Sequence, residues 1–240
     1  MKAIIIAAGK GSRIPEISKL IPKSLIKING KSLLERQIDF IRKLDINKIS
    51  IVKGYKSKKI NFKNIKYFTN RNYAKNEQLD SLFYAKKWFD DDLVIVFSDI
   101  IYDFSILKKV VNSKKEFVIA IQKNWKKKYK ERFDHPMEQA DKVLVKYKKI
   151  FDIGKGLSIN ETNGEFLGIF KLSKKISLKL RNEYKLLRKS KGTHKFQIHD
   201  FFKYLIKKGI NIQPIYVHGK YMEIDTKNDL KIAKKIFYEK

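Results

Sequence analysis

The sequence predicts an α/β fold with a doubly wound, mostly parallel sheet, and three observations lead to this prediction. Short apolar runs typical of strands alternate with stretches of helical periodicity through the first half of the chain. Two of these runs, residues 3–8 and 93–97, are apolar throughout, as in strands that helices cover on both faces. Glycines or polar residues follow both runs directly, at the strand ends where ligands bind in open parallel sheets.

The elements of the first half can be assigned in order from these patterns. The predicted strands are residues 3–8, 48–52, 65–68, 93–97 and 117–121. The predicted helices are residues 33–44, 76–88 and 106–111. Ser32 and Glu35 are three residues apart and have the pattern of a capping box at the start of the first helix. Asp103 is predicted to cap the third helix.

The pattern changes after Gln122. Residues 123–139 are polar and aromatic without a clear period, and they are predicted to form a long loop or lid. The next strands are predicted at residues 143–147, 150–153 and 166–172, in a smaller mixed sheet. The remaining predicted elements are helices at 174–190 and 199–208, a strand at 210–217, an extended segment at 221–224 and a final helix that Thr226 caps. The sequence contains no internal repeat and no flexible linker, which predicts a single domain over residues 1–240.

Composition limits the kinds of protein that the chain can be. At 240 residues with 43% hydrophobic content, it is long and apolar enough to bury a substantial core. The absence of cysteine excludes disulfides, thiolate metal sites and a cysteine nucleophile. The N-terminus has no signal-peptide pattern, and no apolar run approaches the roughly 20 residues of a membrane span. A cytoplasmic protein without a membrane span is therefore expected.

The net charge of +30 says less about function than its size suggests. Only seven of the 55 basic residues are arginine, and the lysines are spread along the whole chain. Proteins that read nucleic-acid sequence usually favour arginine and clustered basic patches. A specific nucleic-acid function is therefore not expected, although so large a charge would attract anionic substrates.

A glycine-punctuated basic loop follows the first predicted strand. It contains Gly9, Gly11, Ser12 and Arg13, and Lys23 follows ten residues after the arginine. Glycine lets a backbone approach phosphate closely, backbone amides form an anion-binding nest, and arginine or lysine neutralises the charge. The loop is therefore predicted to bind a polyphosphate. The alternative is a tight turn with both cations in solvent.

This stretch resembles the nucleotidyltransferases that activate sugar phosphates and small alcohol phosphates. Their first strand ends in Ala-Ala-Gly, then comes G-x-G-[ST]-R, and P-K follows; here the residues are 7–13 and 22–23. One departure is Pro15, which lies two residues after the arginine, where the family usually has proline three residues after it. The resemblance implies a Rossmann-like, GT-A-like fold that binds a nucleoside triphosphate with Mg²⁺.

The resemblance also implies roles for individual residues. Lys23 would act on the α-phosphate and Arg13 on the β- and γ-phosphates, and these are the two candidate catalytic residues. Ser81 lies where the family contacts base or ribose, with an ordinary helix-surface serine as the alternative. The full set of candidate nucleotide-binding residues is Ala8, Gly9, Gly11, Ser12, Arg13, Lys23 and Ser81.

Two aspartates are the candidate metal ligands. Asp99 directly follows an apolar strand, where an aspartate is a poor core residue and lies at the ligand edge of the sheet. Asp225 precedes the last helix in the stretch EIDT-x-x-D, and the family has a strand-end aspartate in both places. Magnesium prefers oxygen ligands and needs only one or two carboxylates. The alternatives are a turn aspartate at 99 and a helix cap at 225.

Residues 23–55 resemble the N-terminal half of bacterial phosphocholine cytidylyltransferases, and residues 125–168 are similar to cytidylyltransferases linked to phosphonate biosynthesis. The resemblance implies CTP as donor and a small phosphate or phosphonate as acceptor, such as phosphocholine or 2-aminoethylphosphonate. The candidate acceptor-binding residues are Trp125, Tyr129, Arg132, His135, Lys155 and Glu165. An amine headgroup would lie against the aromatic rings and the glutamate, and the phosphorus end against the basic residues. The alternatives are aromatic side chains that only pack the lid and a turn at residues 135–136.

On this resemblance, residues 1–122 mainly bind the nucleotide, residues 123–225 mainly form the acceptor side with the second metal ligand, and residues 226–240 form the C-terminal helix. Two other functions remain open. One is a hexose-1-phosphate nucleotidyltransferase that uses UTP, dTTP or GTP. The other is a non-catalytic nucleotide- or RNA-binding protein. The oligomeric state is also open, with a homodimer as one option.

Overall fold

The computed structural model describes residues 1–191 and 195–238, so the end of the predicted C-terminal segment, residues 239–240, lies outside the described part. The strands are β1 (Lys2–Ala7), β2 (Lys27–Ile28), β3 (Lys31–Ser32), β4 (Ile49–Lys53), β5 (Lys66–Thr69), β6 (Leu93–Phe97), β7 (Ile100–Tyr102), β8 (Phe117–Gln122), β9 (Lys142–Lys146), β10 (Lys149–Ile153), β11 (Gly164–Leu172), β12 (Gln213–Tyr216) and β13 (Tyr221–Glu223). The α-helices are α1 (Pro15–Ser18), α2 (Leu33–Arg42), α3 (Gln78–Phe83), α4 (Phe104–Val111), α5 (Lys174–Lys191), α6 (Ile198–Lys207) and α7 (Lys227–Ile236). Short 3₁₀ turns lie at Lys23–Leu25, Ser57–Lys59, Lys86–Trp88, Trp125–Glu131 and Met137–Gln139.

Nine strands form one central sheet. Its main order is β10-β9-β11-β6-β1-β4-β5, and β8 pairs with both β11 and β12. Strand β1 runs parallel to β4 and β6, and β4 runs parallel to β5. The predicted α/β class with a mostly parallel doubly wound sheet is therefore confirmed.

The mixed strands of the second half continue this central sheet, and they do not form a sheet of their own. All nine residues of β11 are buried, and this strand pairs antiparallel with β6, β8 and β9. A strand with so much apolar surface is typical of the interior of a sheet whose two faces are covered by other elements. Sequence periodicity located these strands but could not show which neighbours they pair with.

Gly168 marks an irregularity in the middle of β11. The register of β11 against β8 shifts between Phe166 and Phe170, and Gly168 has a φ of +72°. A Cβ built on Gly168 would lie 2.7 Å from Cδ2 of Phe97. Both the positive φ and the close ring require glycine at this position.

We expect Gly168→Ala to lower the free energy of unfolding by about 2–4 kcal/mol, because it adds backbone strain and a collision inside the core. Denaturant unfolding followed by circular dichroism measures this change. The matched control is Gly156→Ala, since Gly156 is exposed and a Cβ there meets nothing within 4 Å. Equal stability of the two variants would contradict the prediction.

Helix caps were predicted correctly at two of three places. In α2, the Ser32 hydroxyl accepts a hydrogen bond from the Glu35 amide, and the reciprocal bond completes the capping box. Thr226 caps α7 in the same way. Asp103 is the N-cap residue of α4, but its carboxylate instead accepts the amide of Lys220, at 2.7 Å. The capping interaction predicted for Asp103 is therefore wrong.

Two other elements differ from their predicted extents. The helix predicted at 76–88 is α3, which ends at Phe83, and a separate 3₁₀ turn follows it. The segment predicted as a loop or lid contains two 3₁₀ turns, and Trp125 and Tyr129 pack there in a small apolar cluster with Ala140. None of the helices in the described residues combines the length and apolar character needed to cross a membrane.

Candidate active site

Two features of the fold bring residues from both halves of the chain to one edge of the sheet. Strands β1 and β6 are parallel, with Ile6 beside Phe97, so the segments that follow them leave the sheet side by side. Strand β13 pairs antiparallel with β7 just beyond β6. In addition, the amide of Ile224 donates to the carbonyl of Asp99, at 2.9 Å. Asp225 is thereby held next to Asp99, although the two are far apart in sequence.

Lys23 lies between these two aspartates. Its Nζ is 2.6 Å from Oδ1 of Asp225 and 2.8 Å from Oδ2 of Asp99. Arg13 lies on the other side of Asp225, with Nη1 3.0 Å from Oδ2. Two carboxylates that contact one ammonium group are close enough to face one small cation. The structure therefore brings together the basic loop, the lysine and both aspartates.

The charge states in this cluster follow from burial and from neighbouring charges. Burial opposes protonation of Lys23, but the Asp99 and Asp225 carboxylates outweigh it and raise the pKa of Lys23. Burial alone raises the pKa of Asp225, yet Lys23 and Arg13 outweigh it and hold this pKa below its usual value. Burial and the nearby Asp225 and Asp99 carboxylates raise the pKa of Glu223 well above its usual value. The surroundings therefore favour the charged form of Asp225 and the protonated form of Glu223.

Two adjoining cavities open at this edge, and both are lined by Gly9, Gly11, Lys23 and Asp99. The Ser81 cavity is also lined by Ala8, Tyr73, Asn76 and Ser81. The Glu165 cavity is also lined by Ser12, Arg13, His135, Lys155, Glu165 and Asp225. All candidate nucleotide-binding and metal-binding residues thus line one cavity or both. Ser81 is buried, so it is not the surface serine that was its alternative.

The structure differs from expectation at three of the six candidate acceptor residues, because Trp125, Tyr129 and Arg132 do not line either cavity. Trp125 is fully buried and packs edge-to-face on Tyr129, whose hydroxyl donates to the Glu165 carboxylate. The Arg132 side chain is fully buried, and its Nε lies 2.6 Å from Oδ1 of Asp229. We therefore correct their predicted direct contact with an acceptor to a supporting position behind the cavity wall.

Some residues of the site were missed by the sequence reasoning. Glu223 and Tyr221 also line the Glu165 cavity. The sequence feature that could have identified Glu223 is its position two residues before Asp225. Alternate residues of an extended strand share a face, so both side chains can face the same site. Asp229 holds the site from behind: it accepts the amides of Asp225 and Thr226, at 3.0 and 2.9 Å, and pairs with Arg132. Its only sequence signal was the second aspartate of EIDT-x-x-D.

The donor atoms at this edge suit a hard divalent cation. Asp99 and Asp225 each provide a carboxylate oxygen in contact with the Lys23 ammonium, at 2.8 and 2.6 Å. Ligand atoms of His135, Glu223 and Asp225 also lie within 4.8 Å of one another. Oxygen donors with one or two carboxylates are the set that Mg²⁺ prefers. The residues present therefore fit a magnesium ion.

Comparison with known proteins agrees with this geometry. The family model described as "MobA-like NTP transferase domain" matches residues 3–148. The CTP:phosphoglutamine cytidylyltransferase of Campylobacter jejuni is 29% identical over 250 residues, covering 97% of this chain and 98% of that protein. The choline-phosphate cytidylyltransferase of Streptococcus pneumoniae is 36% identical over 99 residues, covering 40% of this chain and 43% of that protein.

A solved structure shares the whole architecture. The structure of CTP:phosphocholine cytidylyltransferase from Streptococcus pneumoniae superposes with a TM-score of 0.76, covering 98% of both chains. Its sequence identity to this chain is 19%, so this likeness bears on the fold alone.

Proposed function

Because the chain belongs to the family with a MobA-like NTP transferase domain and is a nucleotidyltransferase, we propose that it transfers CMP from CTP to a small phosphate or phosphonate and releases pyrophosphate. The observation that carries the proposal is the position of Lys23 between Asp99 and Asp225, beside the glycine loop. The full-length similarity to a cytidylyltransferase supports CTP as the donor.

The proposed division of labour follows the charges of the site. The loop at residues 9–13 binds the triphosphate through backbone amides, and Arg13 neutralises the β- and γ-phosphates. Lys23 donates hydrogen bonds to the α-phosphate, where negative charge builds up during transfer. Asp99 and Asp225 would hold Mg²⁺, which when bound supplies charge neutralisation and orients the phosphates. An acceptor that is already a phosphate or phosphonate dianion needs no general base.

The acceptor side of the proposal rests on the Glu165 cavity. Its wall includes the Glu165 carboxylate and the Tyr221 ring, where the Lys128 ammonium pairs with the carboxylate and lies 4.5 Å from the ring centroid. The wall thus suits a cationic group, and the ammonium of phosphocholine or 2-aminoethylphosphonate would take the place of Lys128 there. Lys155 and His135 line the same cavity and would face the phosphorus end. We include phosphoglutamine among the acceptors to be tested because the Campylobacter relative is named for it.

The proposal extends to the organisation of the chain. Residues 1–122 would mainly bind the nucleotide, and residues 123–225 mainly the acceptor together with the second metal ligand, with α7 after them. Since CTP and phosphorylated small molecules are cytoplasmic metabolites, the cytoplasm is the proposed place of action.

We expect the purified protein with Mg²⁺ to release pyrophosphate from CTP in the presence of phosphocholine, 2-aminoethylphosphonate or phosphoglutamine. A coupled pyrophosphate assay measures this, with CTP, UTP, dTTP and GTP each paired with every acceptor and with hexose 1-phosphates. Reactions without acceptor and reactions with EDTA are the controls. Release only with a hexose 1-phosphate, or with none of the pairs, would contradict the proposal.

A further inference from the structure

The side chain of Asn70 is fully buried behind the Ser81 cavity and does not line it. Its Nδ2 donates two hydrogen bonds, each of 2.9 Å, one to Oγ of Ser81 and one to Oδ1 of Asn76. Ser81 and Asn76 both line the cavity. Asn70 is thus placed to control how these two side chains present themselves to a bound base.

The orientation of the Asn70 amide is fixed by the backbone. The amide of Asn72 lies 2.9 Å from Oδ1 of Asn70, and a backbone N–H can only donate. The oxygen of Asn70 must therefore face Asn72, and its nitrogen must face Ser81 and Asn76. A buried amide with both ends satisfied in this way has little freedom to turn over.

This arrangement leaves hydrogen-bond donors on the cavity wall. Ser81 accepts from Asn70 through one lone pair, and within residues 1–191 and 195–238 its hydroxyl donates no hydrogen bond. The side-chain oxygen of Asn76 accepts a hydrogen bond from Asn70. Of the two N–H groups on the Asn76 amide, at most one donates back to Asn70, at 3.4 Å. The Ser81 O–H and one Asn76 N–H are therefore both available to donate to a ligand, and the Asn76 N–H can only donate.

The pyrimidine bases differ in this respect. Cytosine presents two neighbouring acceptors, N3 and O2, whereas uracil and thymine carry a hydrogen on N3. We propose that Asn70 is a positioning residue: by occupying one lone pair of Ser81 and the oxygen of Asn76, it leaves their O–H and N–H free to donate to N3 and O2 of cytosine. This inference rests on the proposed function, because it concerns the base of the same donor nucleotide.

The decisive variant is Asn70→Asp, which keeps the shape and replaces the amide nitrogen with an acceptor oxygen. The Ser81 hydroxyl would then donate to residue 70 and turn its lone pairs toward the base. We expect the ratio of kcat/KM for CTP to that for UTP to fall by about 10- to 100-fold. The control is Asn72→Asp, which makes the same chemical change on an exposed side chain and keeps its backbone N–H; there the ratio is expected to stay unchanged.

A ratio within twofold of the wild type in a folded Asn70→Asp protein would overturn the inference. If that variant does not melt cooperatively, Ser81→Ala takes its place, since removal of the donor should also lower the preference for CTP; an unchanged preference there overturns the inference as well. Calorimetric binding of CTP and UTP measures the same preference without turnover. The two proposals can fail separately. If the protein releases no pyrophosphate with any acceptor but binds CTP selectively, and Asn70→Asp abolishes this selectivity, the proposed function is rejected and the role of Asn70 is supported.

Discussion

Replacement of Asp225 by asparagine is expected to lower the rate of nucleotidyl transfer by about a thousandfold, because a charged oxygen is lost where Mg²⁺ would neutralise phosphate charge. The Asp225 side chain is buried and contacts both Lys23 and Arg13. Asparagine keeps the shape but removes the charge that balances these two cations. Pyrophosphate release with CTP measures the rate, and a calorimetric Mn²⁺ titration measures cation binding in the same protein.

The matched comparison for this variant is Asp99→Asn, which should also reduce both the rate and Mn²⁺ affinity. The control is Asp39→Asn, since the Asp39 carboxylate forms an exposed ion pair with Lys31, of a kind that contributes little. Its rate and its Mn²⁺ affinity are expected to remain those of the wild type. An Asp225→Asn protein with more than a tenth of the wild-type rate is incompatible with the proposed metal site.

Lys23→Met is expected to produce the second large effect, a fall in rate of about 100- to 1,000-fold, because the cation that would face the α-phosphate is lost. The same variant should show an opposite effect on cation binding. In the wild type the Lys23 ammonium contacts both carboxylates, so it competes with a metal ion for Asp99 and Asp225. Without nucleotide, Lys23→Met should therefore bind Mn²⁺ more tightly than the wild type.

Removal of Lys23 also leaves two neighbouring carboxylates without their shared partner, which lowers stability. The melting temperature of Lys23→Met should be reduced in EDTA and should rise more than that of the wild type when Mg²⁺ is added. Lys19→Met is the control, since Lys19 is exposed and its side chain makes no ion pair in the described part of the chain. A Lys23→Met protein with wild-type turnover would remove this lysine from the proposed mechanism.

The local part of the site could be predicted from the sequence. Strand β1, the loop at residues 9–13 and Asp99 were recognisable because each depends on a short run of neighbouring residues. The meeting of Asp99 and Asp225 was expected from the family resemblance. The structure supplies its physical basis in the pairing of β7 with β13. Local patterns alone could not provide a contact between segments so far apart.

The supporting residues behind the site could not be predicted in the same way. Arg132 pairs with Asp229 across 97 positions of sequence, and a basic residue in a polar loop gives no sign of such burial. Asn70 was not identified from the sequence, because its hydrogen bonds to Asn76 and Ser81 form only in the folded chain. The irregularity at Gly168 depends on Phe97 from another strand. Each of these depends on tertiary packing, which periodicity does not encode.

The pairing of β13 with β7 has a consequence for how the protein is made. During synthesis the glycine loop, Lys23 and Asp99 leave the ribosome before β13, the strand at residues 221–223 that positions Asp225. Until then the half-made binding edge lacks one of its two carboxylates. A nascent or prematurely terminated polypeptide that stops short of this strand should therefore lack transfer activity, and activity should appear only after β13 has emerged and paired with β7.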